Sequence, residues 1–231
     1  LRRPQGRQRR RMTPLERAAR LPFWSGPVSP VPLSGGITNT NLRVRDRGRD
    51  SVVRIGDDNL VHGIVRSNEL AVSRAAHAAG VSPEIVHAEP GALVMRFIEG
   101  RTLTPGDVRD DALLPRLVDL VAKAHREIPK HLRGPAAAFW VFHVVRDYGH
   151  TLREGASPRL PLLPDLLAAA EALERAVGPV EIVMGHNDLL AANFIDDGKR
   201  LWLIDWDYAG FNSPLFDLGG LASNSEVSPV Q

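Results

Sequence analysis

Residues 185–217 read GHNDLLAANFIDDGKRLWLIDWDYAGFNSPLFD. The stretch opens on a polar cluster, His186-Asn187-Asp188, and reaches Asn193 just before an apolar pair, Phe194–Ile195. A second apolar run, Leu201–Ile204, follows Asp196-Asp197-Gly198-Lys199. Asp-Gly between two apolar runs predicts a β-hairpin. A hairpin brings its ends together, so Asn193 and Asp205 share one end, and Asp188 enters from the preceding loop. Carboxylates with an amide oxygen form a hard donor set suited to magnesium. Phosphoryl transfer needs such ligands to neutralise phosphates, and a carboxylate to accept the proton of the acceptor hydroxyl. Taken singly, each residue reads as an ordinary turn or cap. Together, an H-x-D-x4-N run followed by a strand ending in D-x-D is highly specific.

Working outward, the 231-residue chain has ordinary globular composition, 43% hydrophobic and 24% charged. It contains no uncharged apolar run of about 20 residues, so no membrane insertion is expected. Cysteine is absent, which excludes disulfides and thiolate metal sites, and a cytoplasmic setting is expected. Residues 1–11 carry six Arg and no acid; without them, 23 basic residues face 27 acidic ones. The basic character therefore belongs to a tail, residues 1–12, expected to be disordered, and no nucleic-acid partner is expected. The first Met is Met12, and the tail lacks the apolar core of a signal peptide.

Residues 22–32 are Pro-rich and read as an extended approach. Strands are expected at Leu42–Arg45 and Ser51–Ile55 around an Asp46-Arg47-Gly48 turn. A helix is expected over Val61–Ala79, capped by Gly80. Strands at Glu84–His87 and Ala92–Ile98 complete a small sheet. Apolar spacing then predicts helices over 114–128, 137–152 and 166–177. A strand-rich part joined near Glu99-Gly100 to a helical part implies two lobes.

The segment from Gly185 to Asp217 resembles the catalytic and metal-binding motifs of the choline/ethanolamine kinase and aminoglycoside phosphotransferase superfamily, which shares the protein-kinase-like fold. The likeness covers roughly residues 30–225. It implies an α+β, two-lobed protein-kinase-like fold with a small antiparallel-sheet N-lobe carrying one helix and a mostly helical C-lobe. Residues 13–98 would form the nucleotide-binding N-lobe. Residues 99–231 would hold the catalytic loop, the metal site and part of the acceptor pocket. By this resemblance Asp188 is the catalytic base, and Asn193 and Asp205 are magnesium ligands. Asp207 supports a second metal or the acceptor. His186 is expected to brace the loop, and Asp217 to anchor its backbone or cap the next helix. His125 is expected to be structural.

The first lobe carries its own signals. Leu33–Leu42 (LSGGITNTNL) matches neither G-x-G-x-x-G nor the P-loop pattern. Its GGITN turn resembles that of choline kinases more than the loop of aminoglycoside enzymes, and assigns Ser34, Gly35, Gly36 and Asn39 to the nucleotide. The three lysines are Lys123, Lys130 and Lys199, so the third-strand cation must be Arg54. Its fork can clamp phosphate oxygens. Glu69, in the middle of the predicted helix, is its natural partner. Phe97-Ile98-Glu99-Gly100 resembles the hinge, placing Phe97 and Glu99 beside adenine. Phe139, Trp140, Phe142 and Tyr148 read as core or interface. Trp206 and Tyr208 are the nearest aromatic faces for a cationic acceptor.

The resemblance implies an ATP- and magnesium-dependent phosphotransferase acting on a hydroxyl of choline or ethanolamine. Aminoglycosides, thiamine, a nucleotide-binding pseudokinase and a metal-dependent hydrolase stay open, as does the oligomeric state. Fourteen residues follow Asp217, where the family carries further helices. A C-terminal truncation is therefore expected, leaving an exposed apolar patch on the helices at 114–128 and 137–152.

Overall fold

The computed structural model describes residues 12–33 and 39–228. Residues 1–11 of the basic tail and the residues Ser34, Gly35 and Gly36 lie outside them. The chain divides into two compact units, Leu1–Asp57 with Val86–Phe97, and Asp58–Ile85 with Ile98–Gln231.

In the first unit, helix α1 (Pro14–Ala19) starts in a capping box, where Thr13 accepts from the Glu16 N–H and Glu16 accepts from the Thr13 N–H. Five strands follow: β1 (Val31–Pro32), β2 (Thr40–Asp46), β3 (Arg49–Ile55), β4 (Ile85–Glu89) and β5 (Ala92–Arg96). They form one sheet in the order β1-β2-β3-β5-β4. Opposed residues share a face, and the register pairs Leu42 with Val53, Val44 with Ser51, and Val53 with Val94. That face is buried with Ala18 and Leu21, while Trp24 and Val28 pack against its edge. Each large apolar side chain buried here contributes roughly 1.5–3 kcal/mol. Gly91, at φ +70°, turns β4 into β5 in a left-handed conformation that favours glycine.

The second unit begins with helix α2 (Arg66–Ala78). The sequence predicts a start at Val61, but Gly63 takes φ +68° and Asn59 bridges Ile64, which breaks the winding. Residues 60–62 form a separate 3₁₀ turn instead. Glu69 thereby moves from mid-helix to the first turn of α2. The apolar face of α2 (Val72, Ala75, Ala76) joins the core of this unit.

Strand β6 (Arg101–Thr102), short helix α3 (Pro105–Val108), α4 (Leu114–His131), α5 (Val141–Glu154) and α6 (Leu163–Val177) follow. Strands β7 (Val183–Gly185), β8 (Phe194–Asp196), β9 (Leu201–Leu203) and β10 (Gly210–Asn212) and helix α7 (Pro214–Ser225) complete the unit. Two small sheets, β6-β8-β9 and β10-β7, carry the loops of the site. The core is one cluster built on Leu117, Val121 and Ile128 of α4 with Met184, Phe194 and Leu203.

Helix α5 starts at Val141, four residues later than predicted, because the preceding residues are taken into an extended pairing. The Phe211 N–H donates to the Ala137 carbonyl at 2.8 Å, and the Phe139 N–H donates to the Phe211 carbonyl at 3.0 Å. The apolar patch expected on the helix at 114–128 is largely covered: Leu117, Val121, Ala124 and Ile128 are buried, leaving Val118 exposed. The most exposed large apolar side chains of the helical unit lie instead on α6 (Leu166, Leu173), on α7 (Leu215) and in the turn before α2 (Leu60).

Candidate active site

The loop from Gly185 to Asn193 leaves β7 and is fixed by side-chain clamps. Asp217, in the first turn of α7, accepts from the His186 N–H at 2.8 Å and the Asn187 N–H at 2.7 Å. The same carboxylate meets His125 Nε2 at 2.7 Å. Burial opposes ionisation of Asp217, but the His125 contact, the charge of His186 and the two backbone N–H groups outweigh it and hold its pKa below 3.8. Asn187 takes φ +65°, an unfavourable left-handed conformation for which asparagine is better suited than most residues. Its Nδ2 donates to the Tyr208 carbonyl at 3.0 Å and the Gly210 carbonyl at 3.2 Å. Asn212 donates to its Oδ1 at 2.9 Å. His186 packs on Trp206 at 4.7 Å and meets the Ile204 carbonyl at 2.9 Å. The loop is thus tied to both the 204–212 segment and α7.

The hairpin forms as the sequence implies, although its loop is the four residues 197–200. Asp197 closes that loop by accepting from the Lys199 and Arg200 N–H groups and from the Trp202 indole. At the other end, the Ile204 N–H donates to the Asn193 carbonyl at 3.0 Å, which brings Asn193 beside Asp205. Asn193 is buried, and its Nδ2 donates to the Asp188 carbonyl at 2.8 Å. That bond orients the amide and leaves the oxygen end for a cation. Asp205 follows in a left-handed conformation, φ +73°, a strain that recurs at functional sites.

Asp188 is half-buried beside these groups. Burial raises its pKa above 3.8; His186 opposes the shift, while Asp205, Asp207 and Asp217 add to it. Asp207 is buried and ion-paired with Arg66 at 2.8 Å. The same Arg66 nitrogen holds Glu69 at 2.6 Å. Sequence reasoning missed Arg66, because a helix N-terminal arginine gives no signal of a partner 141 residues away.

Asp188 opens into a pocket of about 420 Å³ lined by Phe139, Tyr148, Tyr208, Asp147, Asp188 and Asp207, among others. Phe139 stands edge-on to Tyr208, with ring centroids 6.5 Å apart. Phe139 and Tyr148 were expected in core or interface; the late start of α5 puts Phe139 on an extended segment and turns it to the pocket. Trp206 is a correction of the opposite kind. It is only 2% exposed, its indole N–H donates to Ser82 Oγ at 2.8 Å, and it is absent from the pocket wall, so it belongs to the core. Tyr208 does line the pocket. Its phenol pKa is raised, first by burial and then by Tyr148 and the nearby carboxylates. No Lys or Arg lines this pocket among the described residues.

Of the first unit's assignments, Asn39 and Arg54 flank or lie on the sheet. Arg54 is buried and its Nε donates to Asn41 Oδ1 at 3.4 Å. Phe97 lies under the Arg43 guanidinium at 4.1 Å, and its N–H donates to the Asp50 carbonyl. The Phe97 N–H is therefore committed to the sheet. Glu99 is exposed.

The donor set Asn193, Asp205 and Asp207 suits a hard divalent cation by its chemistry. Among the described residues, no group of three or more His, Cys, Asp or Glu side chains is gathered for a metal. A cation held by Asn193 and Asp205 would complete its shell with phosphate oxygens and water, as magnesium commonly does.

The small sheet, the helical unit and the clamped loop beside a paired hairpin define a protein-kinase-like fold. Residues 30–230 match the phosphotransferase enzyme family, and the chain belongs to it. A choline/ethanolamine kinase family protein from Mesorhizobium loti is 31% identical, with a TM-score of 0.69 over 92% of this chain and 69% of its own. Choline kinase LicA from Streptococcus pneumoniae shares the fold at TM-score 0.73 and 24% identity, over 87% of this chain and 71% of its own. A probable ethanolamine kinase of Arabidopsis thaliana is 29% identical over 206 residues, 81% of this chain and 54% of its own. The chain thus spans about half the length of that relative.

Proposed function

We propose that the chain transfers the γ-phosphoryl group of ATP to the hydroxyl of a small amino alcohol, with choline or ethanolamine as the favoured acceptor and magnesium required. One observation carries this: a half-buried Asp188 with a raised pKa opens into a pocket that combines aromatic rings with three carboxylates. A cationic head group gains from both, since aromatic faces attract it at about 0.5–2 kcal/mol per contact and Asp147 and Asp207 supply opposite charge. The kinases named among the relatives support the same reading. An aminoglycoside carries several ammonium groups on linked rings, and a pocket of about 420 Å³ suits a smaller acceptor better.

In this reaction Asp188 accepts the hydroxyl proton as the acceptor oxygen bonds to the γ-phosphorus, and the bond from that phosphorus to the β-phosphate oxygen breaks. A raised pKa makes Asp188 a better base than an exposed carboxylate. Asp217 and Asn187 hold the loop in place for this step. Asn193 and Asp205, with Asp207 as a further candidate, would hold magnesium, which when bound neutralises phosphate charge. Ser34, Gly35, Gly36 and Asn39 are assigned to the phosphates with Arg54, Glu69 to the support of that cation, and Phe97 and Glu99 to the adenine. The reaction belongs to the cytoplasm, where ATP is supplied. The test is ADP release with choline, ethanolamine, thiamine and kanamycin in parallel. Turnover led by an amino alcohol is expected; turnover confined to kanamycin, or binding of ATP without turnover on any acceptor, overturns the assignment.

A further inference from the structure

Phe139 and Tyr208 meet in the pocket from segments far apart in the chain, and neither lies in a helix. Phe139 sits in the extended stretch before α5, and Tyr208 in the turn between β9 and β10. Their spacing therefore depends on what ties the two segments together. One tie is the pairing of Ala137 and Phe139 with the Phe211 backbone.

A second tie is a single side chain. Asn68, in the first turn of α2, lines the same pocket. Its Oδ1 accepts from the Ala137 N–H at 3.1 Å, and its Nδ2 donates to the Ala209 carbonyl at 2.8 Å. A carboxamide suits this place because it carries an acceptor end and a donor end on one planar group. Aspartate would set an oxygen against the Ala209 carbonyl, and leucine would serve neither partner. Arg66, two residues earlier, holds Asp207 by its ion pair. The first turn of α2 thus grips the 207–209 stretch at both ends, and Asn68 alone of the two also grips the Phe139 segment. That grip depends on the left-handed Gly63, which ends the 3₁₀ turn and lets α2 begin at Arg66.

The consequence is geometric. Phe139 stands edge-on to Tyr208, with centroids 6.5 Å apart, and lies 5.3 Å from Phe216 on its other side. A cation gains from an aromatic ring only within about 6 Å of its centroid. A corner of two rings therefore serves a head group only while its spacing is kept, and such constellations need support from the hydrogen bonds behind them.

We propose that Asn68 is the positioning residue of the acceptor pocket, an inference that rests on this pocket being the acceptor site. Its amide ties the Phe139 segment to the Tyr208 segment and sets the aromatic corner for the cationic head group. Asn68 acts through the two rings.

The experiment measures choline affinity by calorimetry, with ATP affinity alongside. Four proteins form a cycle: wild type, Asn68→Ala, the ring-less pair Phe139→Ala with Tyr208→Ala, and all three substitutions together. Asn68→Ala lets water meet the Ala137 N–H and the Ala209 carbonyl, which preserves the fold. Asn68→Leu, run beside it, keeps the bulk and removes both hydrogen bonds. Choline affinity should fall about tenfold in both single variants, within the range of one cation–π contact, while ATP affinity stays within about twofold. Without the rings, Asn68→Ala should add less than about twofold, because residues that act through one another are not additive. An Asn68 effect that persists undiminished without the rings, wild-type choline affinity in Asn68→Leu, or equal losses for choline and ATP overturns the proposal. Choline affinity unchanged in the ring-less pair would remove the acceptor reading and the role of Asn68 with it. A ring-less pair that loses choline while Asn68→Ala does not would keep that reading and remove Asn68 alone.

Discussion

Asp217→Ala is the most demanding perturbation of the site's scaffold. The wild-type carboxylate accepts two buried backbone N–H groups and contacts His125, all within 2.8 Å. Removing it leaves three polar groups in a site where Asp217 is 1% exposed. A buried polar group left without a partner costs about 1–3 kcal/mol, and the substitution strands three of them. Some of the loss is recovered by water entering the void, so a destabilisation of about 4 kcal/mol is expected. For a chain of this size each kcal/mol moves the midpoint by roughly 2–4 °C, giving a drop near ~10 °C by calorimetry. The pH dependence has a definite sign. The folded-state pKa of Asp217 lies below 3.8, so its contribution is fully present above the ordinary carboxylate range. It is lost as pH falls through the folded value. The gap between wild type and variant should therefore be flat from pH 8 to about pH 5 and close in stronger acid. A midpoint within 2 °C of wild type at neutral pH would show that the clamp does not hold the loop.

Other outcomes follow from the same geometry. Asp205→Ala should abolish magnesium-dependent nucleotide binding measured by calorimetry; unchanged magnesium affinity would remove Asp205 from the metal set. Phe139→Ala and Tyr208→Ala should each raise the KM for the amino alcohol by about three- to thirtyfold, one cation–π contact apiece, with little change in the KM for ATP. An equal effect on both would place the rings outside the acceptor pocket. Because burial and neighbouring carboxylates raise the Asp188 pKa, kcat/KM should fall on the acid side at a higher pH than an ordinary aspartate gives. Asp207→Asn should move that limb down, and a limb that stays put would separate the two groups.

Much of the site could be read along the chain because its signals are local. Asn193 and Asp205 flank one hairpin, so the Asp-Gly turn alone puts them side by side. That Asp217 anchors the 186–187 backbone was one of two roles the family resemblance implied, the other being a cap on the next helix. What was missed depends on distant partners. Phe139 reaches the pocket because residues 137–139 pair with Phe211, and apolar spacing cannot distinguish that extended pairing from the start of a helix. Trp206 looked like a ligand face because it sits between two aspartates; alternation of side-chain direction sends it into the core, toward His186 and Ser82. The start of α2 moved because Gly63 could adopt a left-handed conformation within an otherwise periodic apolar stretch. Arg66, which joins Glu69 to Asp207, had no local signature at all.

The claim that Asp188 is the base that makes this fold a phosphotransferase is tested most directly by single-turnover phosphoryl transfer from ATP to choline or ethanolamine in Asp188→Asn. The substitution keeps the size of the side chain and removes its basicity. ATP affinity should stay within about twofold of wild type while the transfer rate falls by about 10²–10⁴. Transfer at close to the wild-type rate, with ATP affinity retained, would contradict the assignment of Asp188 and the reading of the pocket built on it.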